Sequence, residues 1–390
     1  MSAERSQAEH ERLLAAAAAM VPDLAARALP AERERCLPEA TMKAVLDAGM
    51  LHAMVPRRYG GPGLGLRTAC ELSRILAHGC ASTAWVVGFL VEHNWQFARF
   101  GRAAQDEIFP RRGYVTAVVQ LQPTGRMTPV EGGWRVSGRW AWCSGVRQSE
   151  WAILAGMVPE QGPTTFIVPV DSLTMDDDWF TSGMRATSSL TLVADAVFVP
   201  THHSVPLGVF AGEDNPGTAL HPEPVVGYPL RPSLALFAAS IAIGAAEQTV
   251  ALFREQLGSR VLYATAGDTP AQRPRSQARL ADAAVASHTA TLLWRDGLNL
   301  LCTAGDARRR LDVEERSWIR LLASKAVLAA RDAIAMVGDG AGASIYYDSS
   351  PIQRFQRDVE MMKGHFVFDA DRATVGYGQA ALGLPLTDPA

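Results

Sequence analysis

Two changes in the spacing of apolar residues divide this chain into three parts, and no other feature limits its fold as much. From residue 8 to about 112, apolar residues recur every three or four positions, which is typical of helices. Between Tyr114 and about Pro206, the chain carries short β-rich runs separated by turn signals such as Glu131-Gly132-Gly133. Helical spacing returns after a Pro- and Gly-rich linker over residues 206–231. This order predicts an α+β protein with several domains.

The predicted domains are an N-terminal helical domain over residues 1–113, a middle β-domain of barrel or sandwich type over 114–212, and a C-terminal four-helix bundle over 213–390. The expected strands are Val115–Val119, Trp134–Trp142, Trp151–Val158, Thr165–Val170 and Leu190–Val199. The expected helices are 66–79, 82–101, 232–257, 272–303, 312–337 and one from about 351. Asp312, with Glu315 three residues later, resembles a capping box and predicts a helix start.

Composition and charge exclude several classes of protein. The chain is 48% hydrophobic and 20% charged, which is ordinary for a globular enzyme. Its net charge is -3 and its longest like-charge run is Arg308-Arg309-Arg310, so we expect no nucleic-acid partner. Acidic Glu4, Glu9 and Glu11 differ from a secretory leader, and no apolar run reaches the roughly 20 residues that span a bilayer. The chain therefore predicts a cytoplasmic protein without a membrane segment.

The cysteines and histidines do not predict a metal site. The cysteines are odd in number and lack C-x-x-C spacing, so we expect reduced thiols at Cys36, Cys70, Cys80, Cys143 and Cys302. His202 and His203 follow Val199-Pro200 at a domain exit and are expected at the surface. No grouping of His, Cys and carboxylate residues in the sequence shows metal-ligand spacing, so we predict no metal.

Five segments, in this order, carry a family resemblance: VPRRYGGPGLGL at 55–66, VEHNWQFARF at 91–100, PTGRMTPVEGGWRVSGRWAWCSG at 123–145, GMRATSSLTLVADAVFVP at 183–200 and SPIQRFQRDV at 350–359. Each is weak alone. Together they resemble the acyl-CoA dehydrogenase superfamily, and more closely its oxygenase branch, the group D flavin-dependent monooxygenases. These include the oxygenase components of the p-hydroxyphenylacetate and 3-hydroxy-9,10-seconandrostatrienedione hydroxylases.

The resemblance implies the oxygenase component of a two-component system. Such a protein receives reduced flavin from a separate NAD(P)H-flavin reductase, reacts with O2 through a flavin C4a-hydroperoxide and hydroxylates an aromatic substrate. FADH2 is favoured over FMNH2, and members of the fold are commonly homotetramers. The chain has no G-x-G-x-x-G segment after a strand, so it lacks a nicotinamide fingerprint. That absence agrees with reduction of the flavin by a partner.

The resemblance also assigns flavin contacts. Trp142 is expected to pack against the flavin ring and Ser144 to bond near its N5 edge, with a catalytic role in supporting the peroxide. Thr187 and Ser188 lie in a segment that relatives place beside the flavin, and Arg260 resembles an arginine that reaches the flavin pyrophosphate across a subunit interface. From the residues alone, Trp142 could be a strand residue, Thr187 and Ser188 a turn, and Arg260 a helix C-terminal cation.

Substrate contacts follow from the same resemblance. His365, after the Arg357-Asp358 pair, is the predicted catalytic base because imidazole titrates near neutrality. A core histidine bonded to a carbonyl is the alternative. His93 and Trp95 match a segment that lines the substrate pocket, and His93 is expected to bond a substrate oxygen.

Gln120 and Gln122 are the remaining predicted substrate contacts. They stand on a strand, residues 118–122, that is serine-rich in phenol-hydroxylating relatives. The loss of those serines favours a larger hydrophobic aromatic substrate of polycyclic, phenolic or indole type.

Three different functions stay open at this point. An acyl-CoA dehydrogenase would need a glutamate base, but Lys363, Gly364 and His365 occupy the region of its usual E-G-T segment and no glutamate follows Glu360. Glu247 would be its displaced base. The second is an N-oxygenase of the same fold, and the third is a non-enzymatic ligand-binding protein.

Overall fold

A computed structural model describes residues 3–259 and 269–388, and it confirms the predicted order of a helical region, a β-sheet and a second helical region. The first region consists of five α-helices: α1 (Ala3–Glu34), α2 (Glu39–Asp47), α3 (Leu66–Ala77), α4 (Ala81–Phe97) and α5 (Arg102–Ile108). Helix α4 lies at the centre of the molecule, and every one of its residues except Phe89 is buried.

Seven strands form one sheet: β1 (Ala117–Val130), β2 (Gly133–Cys143), β3 (Trp151–Val158), β4 (Gly162–Pro169), β5 (Thr174–Asp176), β6 (Leu190–Pro200) and β7 (Ser204–Pro206). Their order is β5-β6-β2-β1-β3-β4-β7, and only β1 and β3 pair in parallel. Strand β1 is longer than predicted because the segment after Gln122 stays paired with β2. Its register against β3 shifts between Gln120 and Gly125, which bends the strand.

The closing region contains α6 (Leu207–Ala211), α7 (Leu230–Ser259), α8 (Pro274–Asp306), α9 (Val313–Ala341), α10 (Pro351–Met362) and α11 (Ala370–Ala381). Helices α7, α8 and α9 pack against one another, and α10 and α11 pack on α9. The capping box is confirmed, since Asp312 accepts a bond from the Glu315 backbone N–H and Glu315 accepts one from that of Asp312. The domain limits at residues 113 and 212 stay predictions.

Two helices are long and apolar enough to cross a membrane by length and composition: Glu4–Glu34 and Leu230–Ser259. The sequence prediction concerned unbroken apolar runs of roughly 20 residues, which is a different criterion, and it stays a prediction. In the second helix, α7, 72% of the most apolar 18-residue segment is buried inside the protein. Its apolar character therefore serves the packing of a core helix, which passes the same test as a membrane span.

The Arg99 guanidinium, just after α4, joins the central helix to the linker before α7. This fully buried group donates to the carbonyls of Phe210, Gly212, Val226 and Tyr228 at 2.5–3.1 Å. A guanidinium carries five N–H donors and no acceptor, so it suits a cluster of carbonyls that no sheet or helix satisfies. Arg99 thus fixes the path of the linker together with Asn215, whose amide also donates to the Gly212 and Val226 carbonyls.

We expect Arg99→Met to lower the free energy of unfolding by at least about 3 kcal/mol, because the buried carbonyls of Phe210 and Tyr228 would lose this donor and those of Gly212 and Val226 would keep only Asn215. Urea unfolding followed by circular dichroism measures this. Arg102→Met, on the exposed start of α5, is the matched control and should change stability by less than about 0.5 kcal/mol. Equal unfolding midpoints for the two variants would contradict the expectation.

Candidate active site

Helix α4 presents three rings on one face, Trp85, Phe89 and His93, which we call the aromatic row. The residues are spaced four apart, so they lie above one another along the helix. The ring centroids are 4.9 Å apart for Trp85 and Phe89 and 5.2 Å apart for Phe89 and His93. Phe237 of α7 packs edge-on against Phe89 at 5.0 Å. The row therefore forms an apolar wall with a histidine at one end.

His365 lies at the other end of the aromatic row. It follows α10 and begins the short turn Phe366–Phe368, where its Nδ1 accepts the Val367 N–H at 3.4 Å. Its ring contacts Trp85 with centroids 5.6 Å apart. The fold thus links His365 to His93, which are 272 positions apart in the sequence, through Trp85 and Phe89.

Beside Trp85, three hydroxyls form what we call the hydroxyl network: Ser144, Ser189 and Thr187. The Trp85 indole N–H donates to Ser144 Oγ at 3.1 Å. Ser144 Oγ lies 2.7 Å from Ser189 Oγ, which lies 2.6 Å from Thr187 Oγ1. Thr187 in turn donates to the Met184 carbonyl at 2.8 Å.

The donor direction is fixed along the hydroxyl network. A carbonyl only accepts, so the Thr187 proton points to Met184 and Thr187 must accept from Ser189. Ser189 then accepts from Ser144, whose own proton is used in that bond. Ser144 Oγ can therefore only accept further hydrogen bonds. One of its two lone pairs accepts the Trp85 indole N–H.

Two loops with unusual backbone geometry carry these hydroxyls. Trp142, Met184 and Ser188 have φ angles of 68°, 52° and 47°, in the left-handed region that non-glycine residues rarely adopt. The loops bond to each other where the Gly145 N–H donates to the Thr187 carbonyl at 2.7 Å. Such backbone strain is retained where the surroundings enforce it, and it is common at functional sites.

Asp358 of α10 anchors the second loop. This buried carboxylate accepts the Met184 backbone N–H at 2.6 Å and the Ser82 hydroxyl at 3.4 Å. Burial raises the pKa of Asp358 to about 6, although the Met184 bond opposes that shift. The Arg-Asp pair before His365 therefore positions the loop that holds the hydroxyl network.

Burial also sets the charge of the two histidines. It lowers the pKa of His365 to about 4, although the ring keeps partial access to solvent. It lowers the pKa of His93 to about 4 and raises that of the neighbouring Glu92 to about 8. All three groups are therefore neutral at pH 7.

His93 is held in one tautomer. Its Nδ1 lies 2.6 Å from the Ala117 carbonyl at the start of β1, so that nitrogen carries the proton. Its Nε2 then has a free lone pair, with Glu92 Oε2 3.7 Å away. His93 is thus suited to accept a hydrogen bond from a hydroxyl or ring N–H.

The other predicted substrate residues make their hydrogen bonds elsewhere, and their substrate-binding roles stay predictions. Trp95 is fully buried and its indole donates to the Val225 carbonyl at 2.5 Å, which gives it a packing role. Gln120 donates to the Ala141 carbonyl and accepts the Gln122 backbone N–H, while Gln122 is exposed. The hydrogen bonds of Gln120 thus stay within β1 and its neighbour β2.

Among the predicted flavin contacts, Trp142 is 59% exposed and packs edge-on against Trp179 at 5.4 Å. Thr187 belongs to the hydroxyl network, whereas the Ser188 hydroxyl turns away to the Arg35 carbonyl at 2.7 Å. Arg260 lies outside the described residues. The flavin-binding roles of these residues therefore stay predictions.

Glu247 is not placed as a dehydrogenase base would be. Its Oε2 accepts from Arg74 at 2.6 Å and lies 2.9 Å from His78 Nε2, and its Oε1 accepts from Thr291 at 3.3 Å. Burial would raise its pKa, but the bonds to His78 and Arg74 outweigh burial and lower it. A fully engaged, ionised carboxylate between helices has a structural role.

The sequence-based prediction missed Trp85 and Phe89, and it misjudged a histidine pair. The spacing of Trp85, Phe89 and His93 was a readable signal of one helix face. His203 was predicted at the surface but is buried, and together with His202 it lies against Glu107. The ligand atoms of these three residues lie within 4.8 Å of one another, so folding brings together a group that could hold a metal ion. Sequence spacing could not reveal it because Glu107 is far away along the chain.

Comparison with known proteins supplies the family context. A model of the acyl-CoA dehydrogenase N-terminal domain matches residues 7–111, and one of the acyl-CoA dehydrogenase C-terminal domain matches residues 236–370. A pigment production hydroxylase of Rhodococcus sp. (strain ATCC 21145) is 31% identical over 95% of this chain and 96% of its own. The flavin-dependent monooxygenase oxygenase subunit HsaA of Rhodococcus jostii (strain RHA1) is also 31% identical, over 95% of this chain and 98% of its own. The oxygenase component of an FADH(2)-dependent resorcinol hydroxylase of Rhizobium sp. (strain MTP-10005) is 29% identical over 96% and 95%.

Solved structures agree with these relatives. The 3-HSA hydroxylase of Rhodococcus sp. RHA1 superposes with a TM-score of 0.92 at 29% identity, covering 97% of this chain and 98% of its own. XiaF from Streptomyces sp., in complex with FADH2 and glycerol, superposes with a TM-score of 0.93 at 26% identity, covering 99% of each chain. The similarity therefore spans all three regions.

We expect His365 to make stability depend on pH. Its pKa is about 4 in the folded protein and about 6.5 when unfolded, so the unfolded chain binds the proton first as pH falls. Its contribution is complete above pH 6.5 and is lost towards pH 4, by up to about 3 kcal/mol. Urea unfolding at pH 7.5, 6 and 5 should show a smaller decline for His365→Asn than for wild type.

His288→Asn, at an exposed position of α8, is the control for that measurement and should keep the wild-type decline. If wild type and His365→Asn lost stability in parallel across the same pH range, the folded-state pKa of His365 would not be depressed.

Proposed function

Because this chain belongs to the acyl-CoA dehydrogenase family, and within it to the flavin-dependent monooxygenases that act as oxygenase components, we propose that its site hydroxylates a hydrophobic aromatic substrate. The observation that carries the proposal is the position of Trp85. Its indole donates to Ser144 on one side and packs against His365 on the other. One side chain thereby joins the residue predicted to position flavin to the residue predicted to face substrate.

The residues present fit a reduced flavin. Trp142 offers an indole that is 59% exposed, held in place by a left-handed backbone and the edge of Trp179. A flat aromatic ring gains apolar burial and ring contact from such a platform. Ser144 has acceptor capacity alone, and the N5 edge of a reduced flavin presents an N–H donor. When bound, the reduced flavin supplies the electrons for activating O2.

The aromatic row is suited to hold the substrate. Phe89 and Trp85 provide an apolar surface, backed by Phe237, against which an aromatic ring would lose its water contacts. The His93 Nε2 lone pair at one end would accept a hydrogen bond from a substrate hydroxyl or ring N–H. A buried acceptor discriminates strongly against ligands that lack the matching donor.

His365 would act on the same substrate from the opposite end. Its imidazole is neutral at pH 7, as a hydrogen-bond acceptor or base must be. The hydrogen bond from the Val367 N–H to Nδ1 is long, at 3.4 Å, and therefore weak. A substrate donor could replace the Val367 N–H at that lone pair. With a pKa of about 4, His365 is a weak base in the ligand-free site. We therefore assign His365 a partial role as base. It would draw the proton of the substrate hydroxyl or ring N–H towards its own nitrogen, which makes the substrate ring more electron-rich.

Cofactor choice and assembly complete the proposal. FAD is favoured over FMN because the resorcinol hydroxylase is named FADH(2)-dependent and XiaF was solved with FADH2. A separate reductase supplies the reduced flavin, as the words oxygenase subunit and oxygenase component imply for the relatives. We propose a homotetramer, consistent with the largely apolar α7, in which Arg260 of a neighbouring copy reaches the pyrophosphate.

We expect the site to bind 2-naphthol and indole at least about tenfold more tightly than phenol and resorcinol, since the wall is apolar and lacks serines on β1. Anaerobic equilibrium dialysis with the reduced-FAD complex measures the four dissociation constants. Naphthalene, which lacks a donor for His93, is the matched control and should bind more weakly than 2-naphthol. Tighter binding of phenol or resorcinol would contradict the proposed substrate class.

We expect His365→Ala to lower hydroxylation of the tighter-binding probe about 100-fold, because partial proton removal is lost. The dissociation constant of reduced FAD should stay within about threefold of wild type, since His365 is assigned to the substrate. The assay supplies reduced FAD from a flavin reductase and compares product, measured by mass spectrometry, with hydrogen peroxide released.

His288→Ala is the control for that assay and should retain wild-type product formation. Unchanged product formation by His365→Ala would remove its assigned role. If wild type bound reduced FAD yet hydroxylated neither 2-naphthol nor indole while it reduced oxidised FAD with an acyl-CoA, the oxygenase proposal itself would fail.

A further inference from the structure

Glu107, His202 and His203 bring three metal-ligating atoms to one point between α5 and the sheet. His202 Nε2 and His203 Nε2 each lie 3.1 Å from the same atom, Glu107 Oε2. The two imidazole centroids are 4.5 Å apart and the rings are inclined at 69°. Tetrahedral zinc, with bonds of about 2.0–2.1 Å, holds its ligand atoms about 3.3 Å apart. The two nitrogen–oxygen separations of 3.1 Å are within a few tenths of an ångström of that value, and all three ligand atoms lie within 4.8 Å of one another.

The His203 ring contacts groups on two sides. Its Nε2 lies 3.1 Å from Glu107 Oε2, and the Ile167 backbone engages the ring through a hydrogen bond. Metal-bound histidines commonly donate their second ring nitrogen to a backbone carbonyl. A cation held at Nε2 would therefore leave the other ring nitrogen to donate to Ile167.

Neighbouring side chains hold the three ligand residues in place, and the site stays accessible to an ion from solvent. Arg111 donates to the other carboxylate oxygen, Glu107 Oε1, at 3.3 Å, which orients Oε2 towards the histidines. Its positive charge also weakens the attraction for a cation. Trp151 packs edge-on against His203 at 6.2 Å and limits the motion of that ring. The side chains of His202 and Glu107 are 42% and 39% exposed, so an ion and a water ligand can reach them.

We propose that Glu107, His202 and His203 form a binding site for a divalent transition-metal ion of the zinc class. Two imidazoles and one carboxylate are a ligand set that such ions favour, with solvent as the fourth ligand. The ion joins α5 of the N-terminal helical region to the turn Thr201–His203 between β6 and β7. It acts as a structural clamp between the helices and the sheet, independently of the hydroxylation proposed above.

The test uses the full chain, without an affinity tag, after treatment with a chelator and dialysis. Zinc is titrated by calorimetry and bound zinc is measured by elemental analysis after gel filtration. We expect one zinc per chain, a rise in Tm with zinc, and at least about a 100-fold loss of affinity in His202→Ala and in Glu107→Gln. His202 and Glu107 are partly exposed, so both variants should fold. His288→Ala, an exposed histidine elsewhere, should bind like wild type.

Cobalt loading identifies the ligands independently. Nitrogen and oxygen ligands give visible d–d bands without a thiolate-to-cobalt charge-transfer band, and we expect that spectrum in wild type but not in His202→Ala. The absence of zinc binding in wild type would overturn the proposal. So would equal binding by wild type and His202→Ala, or a thiolate band that places the ion on a cysteine.

Discussion

The nearly complete burial of α4 is the constraint on which the rest of the structure depends. A helix without a solvent face must find a protein partner for each polar side chain, because an unpaired buried group costs about 1–3 kcal/mol. His93 therefore bonds β1, Trp95 bonds the linker at Val225, and Arg99 gathers four linker carbonyls. Hydrogen bonds are directional, so these bonds fix the position and orientation of the sheet and the linker relative to α4. Apolar packing alone would define that orientation less precisely.

The active site is assembled against the same helix. The end of β2 leads into Ser144, the loop before β6 contributes Thr187 and Ser189, and the turn after α10 contributes His365. These segments lie far apart in the sequence. Each is set by a bond or ring contact that ends on α4 or on Asp358 of α10. The loops that carry the hydroxyls are thus held in place by contacts to buried helices.

The sequence predicted most elements because periodicity and capping are local. The helix predicted over residues 232–257, observed as Leu230–Ser259, and the Asp312–Glu315 capping box needed no long-range information. The resemblance directed attention to Ser144, His93 and His365, which the fold joins through Trp85 and Phe89. It could not show that Trp95 packs in the core, or that His203 meets Glu107, because those outcomes depend on segments far apart in the chain. The donor direction of the hydroxyl network likewise depends on the Met184 carbonyl, which no spacing reveals.

That carbonyl has a consequence for turnover. Met184 cannot donate through its carbonyl, so the hydroxyl network cannot reverse and Ser144 cannot turn its proton towards a ligand without breaking a buried bond. If Ser144 lies at the flavin N5 edge as proposed, an oxidised flavin, which has a bare nitrogen where the reduced form has an N–H, would set a lone pair against a lone pair at Ser144. The cost is one unmade hydrogen bond, about 1 kcal/mol or more. Under the proposed function, the site would therefore bind reduced flavin more tightly than oxidised flavin.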